Sequence, residues 1–167
     1  MIENAIAWIF IFPLFGSVAC AILGLWRRSW CYPISVFCMI GSTWAGIETL
    51  MQAMDSSAGE VSYILGGWVL DLYPRGVGIE FRADLLGALI VLVVLGVGLI
   101  VTIYSKLPVQ EETPKKEAIF YPLFLLQITG LAGISLTGDA FNLYVLIEVA
   151  ALTGYGLIAI GSNRAAA

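Results

Sequence analysis

The sequence predicts an all-α integral membrane protein: about five transmembrane helices, with a small β-hairpin between the second and third. Three observations carry that prediction. Of the 167 residues, 60% are hydrophobic and 12% charged, against about 45–50% and 25% in soluble domains. Mean hydropathy is +0.94. Five stretches reach the roughly 20 apolar helical residues that a bilayer core of about 30 Å demands: about Ala5–Trp26, Cys31–Met54, Leu85–Tyr104, Ala118–Leu136 and Ala140–Ile160. A soluble fold of this size has too little interior to hide so much apolar surface, so residues 1–167 read as a single membrane domain.

The first stretch differs from a signal peptide, because Glu3 stands where basic residues would be and the apolar run is too long. Arg27 and Arg28 close it. The second carries Glu48 near its far end, which reads as an interfacial carboxylate. Residues 55–83 form the long outer loop. In it, Ile64–Trp68 and the alternating Gly76–Arg82 are separated by the turn formers Asp71, Pro74 and Gly76, the pattern of a hairpin lying on the membrane surface. Trp68 and Tyr73 are expected at headgroup level.

The third span, Leu85–Tyr104, has no polar face and is expected to touch lipid most. Lys106–Glu117 reads as a plain solvated connector of mixed charge. The last two spans are separated only by Gly138-Asp139. Ignoring that break gives a four-span count, with one helix of 43 residues from Ala118 to Ile160, too long for a bilayer. Asp84 and Asp139 each begin a helix, where a carboxylate accepts free amide hydrogens. Placing Arg27, Arg28, Lys106, Lys115, Lys116 and Arg164 inside leaves only Arg75 and Arg82 outside. That asymmetry predicts an outer N-terminus and a cytoplasmic C-terminus in the cell membrane.

Absences narrow the chemistry. The chain has no histidine and three cysteines, Cys20, Cys31 and Cys38, without paired short spacing. Bis-histidine haem, histidine-ligated copper or zinc, and histidine-assisted nucleophiles are excluded, and the cysteines read as small packing residues. Eight basic residues against twelve acidic ones give no footprint for nucleic acid. No nucleotide, flavin or iron–sulfur motif is present, so no cofactor or metal is expected and any catalytic centre would lie on a partner.

One carboxylate stands apart. Glu148 lies about eight residues into the fifth span, where an ionised side chain costs about 2.5–3.5 kcal/mol or more. Helical spacing puts Tyr144, Glu148, Leu152 and Tyr155 on one face. Two phenols and a carboxyl there can hold a short water chain. Ala150, Ala151, Gly154 and Gly156 leave room for a neighbouring helix. The competing reading is a neutral glutamic acid that only hydrogen-bonds a neighbour and holds helices together.

The run Thr137-Gly138-Asp139-Ala140-Phe141-Asn142-Leu143-Tyr144-Val145-Leu146-Ile147-Glu148, continuing through Thr153-Gly154-Tyr155-Gly156-Leu157, resembles a signature of the antiporter-like membrane subunits. Mrp-type cation/proton antiporters, respiratory complex I and membrane-bound hydrogenases share it, and the D-type Na+/H+ antiporter subunits of the Mrp branch are the nearest in pattern. Leu65-Gly66-Gly67-Trp68, Gly78-Ile79 and Arg82-Ala83-Asp84 are also similar to that family's loop before its third span. The resemblance implies a proton-relay role for Glu148, supported by Tyr144 and Tyr155, with Asp139 and Asp84 as weaker candidates or simple helix caps. It implies protons and Na+ as the moved ions, and partners that include other membrane subunits.

Family members have about fourteen spans, so the likeness covers their first third. The family's glutamate works with a lysine on a later, broken helix, whereas Lys106, Lys115 and Lys116 here share one connector. The expected partner is therefore a chain supplying the remaining helices and that lysine. Residues 162–167 read as a helix start capped by Ser162 or Asn163, which suggests a split subunit, a truncated product or a fragment. Gradient-driven exchange, redox-driven pumping in a complex I-like or hydrogenase complex, and a non-conducting scaffold remain the three functional alternatives.

Overall fold

The computed structural model describes residues 5–70, 73–112 and 116–161. In chain order they form α1 (Ala5–Leu23), α2 (Cys31–Asp55), β1 (Glu60–Leu70), β2 (Tyr73–Asp84), α3 (Leu85–Tyr104), α4 (Lys106–Glu112), α5 (Glu117–Leu136) and α6 (Ala140–Gly161). A single 3-10 turn, Arg28–Trp30, joins α1 to α2. Five of the helices are long and apolar enough to cross a membrane. The short break at Gly138-Asp139 does separate two helices, as the five-span count requires.

Helix α5 is central and touches α1, α2, α3 and α6. Its Tyr121, Leu125 and Leu136 are fully buried, packed with Ile6 and Ile9 of α1, Met39 of α2 and Leu95 of α3. Helix α1 tolerates Pro13 because its neighbour repairs the damage. Proline has no N–H to give the carbonyl four residues back, and that carbonyl, Ile9 O, accepts instead from Ser42 Oγ of α2 at 2.8 Å. In lipid such an orphan acceptor would be costly, so one serine both closes the defect and fixes the α1–α2 register. Cys20 and Cys31 are fully buried and Cys38 nearly so, and all three are free thiols.

The hairpin is longer than the sequence pattern suggested. Its strands pair antiparallel from Glu60↔Asp84 to Leu65↔Ile79, with irregularities between Leu65 and Trp68 and between Trp68 and Leu70. Phe81 and Ala83 point into the bundle, Phe81 stacking on Phe10 with ring centroids 4.4 Å apart. On the other face Arg82 pairs with Glu60. The hydrogen bond from Arg82 to Glu60 raises the pKa of Arg82 further above its ordinary value, so the guanidinium is cationic at every working pH. Asp71 and the side chains of Trp68 and Tyr73 lie outside the described residues, as does the 162–167 tail.

Two expectations need correction. The connector Lys106–Glu117 is not plainly solvated. Residues Lys106–Glu112 form a short helix in which Pro108 sits where no N–H is needed, Val109 is buried, and Glu117 is only 6% exposed. Nor is α3 the least covered helix: 33% of its apolar window is buried within the chain, against 6% for α6. The reason is placement, since α3 packs on both α2 and α5 while α6 is held chiefly by α5.

Candidate functional site

The break before α6 is built by short polar side chains. Thr137 ends α5 and pairs with Phe81 of β2, and Gly138 N donates to Glu80 O at 3.0 Å. Asp139 Oδ1 accepts from Phe141 N at 3.1 Å, and the amide of Asn142 donates to Thr137 Oγ1 at 3.0 Å. The hairpin edge and this capping cluster together set the angle at which α6 leaves the turn. Asp84 is likewise a cap, its Oδ1 accepting from Gly87 N at 2.7 Å. The structure therefore places both aspartates at helix starts, with their carboxylates occupied by backbone amides.

From that turn α6 runs back along α5 on a seam of small residues. A Cβ at Gly133 would come within 2.6 Å of Leu146 Cδ2, and one at Gly130 within 3.2 Å of the Ala150 backbone nitrogen. Glycine leaves room for this close approach, the usual device where membrane helices meet. Asn142, Ala150 and Thr153 are buried in the seam. The Thr153 hydroxyl lies 2.6 Å from Gln127 Oε1, a polar bridge that apolar periodicity did not reveal. A glutamine in the middle of an apolar span was the available signal.

The opposite face of α6 carries the residues singled out from the sequence. Glu148 is the ninth residue of the helix, about 12 Å along its axis at 1.5 Å per residue. Tyr144, Glu148, Leu152 and Tyr155 share that face as the spacing required, and all four are exposed; both tyrosines are 69% accessible. The structure thus brings them together on one helix but buries none of them within this chain. Among the described residues Glu148 has no ion-pair partner. Lys106 lies over the Tyr32 ring, 5.1 Å from its centroid, and Lys116 donates to Ile160 O at 3.1 Å. Lys115 is outside the described residues. Glu48 is half-buried on α2 and stands apart from this stripe.

Glu148 thus lies mid-helix between Tyr144 and Tyr155, on the open face of a helix seamed to its neighbour through glycine. Comparisons with known proteins show what the chain is similar to. No family model matches the chain. Over 103 residues it is 45% identical to the N-type subunit of an NADH-quinone oxidoreductase from Desulforudis audaxviator, a match covering 61% of this chain and 19% of that protein. Over 100 residues it is 34% identical to the D-type subunit of a Na(+)/H(+) antiporter from Bacillus subtilis, covering 60% and 19%. Both are homologues of this chain. The fold matches a chain in the structure of a membrane-bound sulfane sulfur reductase, an archaeal respiratory membrane complex. There the TM-score is 0.81 at 24% identity, with 95% of this chain and 31% of that one aligned. The chain therefore spans about a fifth of the length of these curated relatives, and it is a multi-pass membrane protein.

Proposed function

We propose that these 167 residues are part of a cation-translocating membrane complex and contribute Glu148 to a proton path across the bilayer. The observation that carries this reading is the position of Glu148: mid-helix in an apolar span, flanked by Tyr144 and Tyr155, on a face that this chain leaves uncovered. A charge at such depth persists when it faces a protein interior or a water-filled cavity. Here that interior must be completed by helices beyond these residues, on the same polypeptide or another. Their expected contribution is a lysine whose charge lowers the carboxyl's proton affinity as it approaches, so that the proton leaves, and lets the affinity rise again on withdrawal, so that a proton rebinds. The moved ions are protons together with a monovalent cation, in a complex with other membrane subunits, and the hairpin end of the bundle faces outward.

The likeness to a complex I subunit favours one second reading, in which redox chemistry on other subunits drives the same carboxyl. Gradient-driven exchange needs only an imposed pH or cation gradient, so vesicles without any electron donor separate the two. The test of the shared claim is Glu148→Gln in the assembled complex, with Na+- and K+-dependent proton movement followed in inverted vesicles. The expected result is loss of translocation with assembly intact. Transport at the unmodified rate in the Gln variant removes Glu148 from the path and leaves the scaffold reading.

A further inference from the structure

The turn joining α1 to α2, the start of α5 and the start of α4 meet at the end of the bundle away from the hairpin. Glu117 sits there in the first turn of α5 and is 6% exposed. Its Oε1 is buried and has no hydrogen-bond partner among the described residues. A carboxylate oxygen stripped of water and left unpaired is among the most costly buried groups. The same carboxyl carrying a proton avoids most of that cost.

The surroundings are those of a group balanced between two states. The Arg28 guanidinium is within electrostatic reach and favours the anion, as does the helix N-terminus. Against this stands burial; the Cys31 and Tyr121 side chains lie close enough to feel the carboxylate's charge. Tyr121 is fully buried, and its hydroxyl lies 3.4 Å from Ser105 Oγ, which donates to Thr102 O at 2.8 Å. Tyr32 packs edge-on against Tyr121 with Lys106 over its face. From α1 only Cys20 titrates among the described residues, and from α6 the carbonyl of Ile160 is already taken by Lys116.

We propose that Glu117 is a second proton-exchanging carboxyl of this chain, separate from Glu148, taking up and releasing one proton at the bundle end opposite the hairpin beside the Tyr121–Ser105 hydroxyl pair. The step is a simple proton transfer between water and a carboxylate oxygen, with no co-reactant. The claim does not depend on Glu148 conducting.

Infrared-detected pH titration of the assembled complex tests it, comparing the native protein with Glu117→Gln. The expected result is a protonated-carboxyl band that fades as pH rises, about tenfold per pH unit beyond its midpoint, and that is missing from the Gln variant. The same band persists in Glu148→Gln, which separates this claim from the translocation reading. A titration difference of zero between native protein and Glu117→Gln means a fixed charge state and overturns the proposal. Should the Gln variant fail to assemble, native membranes are treated with a hydrophobic carbodiimide, which adds only to protonated carboxyls. Glu117 is then modified at neutral pH and modified several-fold more in Arg28→Gln, where the competing cation is gone. Glu117 unmodified in both proteins overturns the proposal equally.

Discussion

Helices α5 and α6 lie side by side, and their acidic residues have opposite surroundings. Glu117 begins α5 where the α1–α2 turn and the start of α4 meet it, so its carboxyl is enclosed although it belongs to a run of charged residues in the sequence. Glu148 lies in the middle of α6, the more deeply apolar position, yet it is exposed because the seam with α5 uses only the other face. Depth along an apolar run and enclosure by protein are thus separate quantities. The first follows from where a residue falls in a span, the second from which neighbours the chain itself provides.

The contrast can be broken by matched substitutions in the purified chain, read by thermal unfolding in detergent. Leu125→Ala on the buried face of α5 is expected to cost about 2–5 kcal/mol by leaving a cavity, whereas Leu152→Ala on the open face of α6 stays within about 0.5 kcal/mol. Equal losses at the two sites mean that α6 is enclosed within the chain and that the contrast is wrong. Gly133→Ile drives a side chain into Leu146 and is expected to cost about 1–3 kcal/mol. Cross-linking between cysteines placed on α5 and α6 shows whether the seam has opened. Asp84→Ala removes the cap of α3 at a cost of about 0.5–2 kcal/mol, with ion movement in the assembled complex unchanged; a translocation defect there returns Asp84 to the proton path. Smallest is Arg82→Gln, which removes an exposed pair with Glu60 and leaves the unfolding temperature unchanged.

Particular residues show how far the sequence could be read. The lengths of the apolar runs located all five long helices, and Gly138-Asp139 separated the last two, because a bilayer admits only backbone that satisfies its own hydrogen bonds. Alternation in Gly76–Arg82 announced the hairpin, although its pairing back to Glu60 depended on cross-strand contacts that no local pattern encodes. The capping roles of Asp84 and Asp139 were legible because a cap acts within three residues of itself. Glu117 was misread for the complementary reason. It closes a run of charged residues, and nothing local distinguishes it from Glu111 or Glu112; the side chains within electrostatic reach of it include Arg28 and Cys31, nearly ninety residues away in sequence.

What the sequence determined by itself was therefore everything that the solvent imposes one segment at a time: span number, helix starts, the stripe of Tyr144, Glu148 and Tyr155, and the exclusion of histidine chemistry. The repair of Pro13 by Ser42, the glycine seam that turns Glu148 away from the bundle, and the enclosure of Glu117 were decided only by the tertiary structure. Each is a contact between residues far apart in the chain, and hydrophobic periodicity reports how a helix meets its medium without naming which helix it meets.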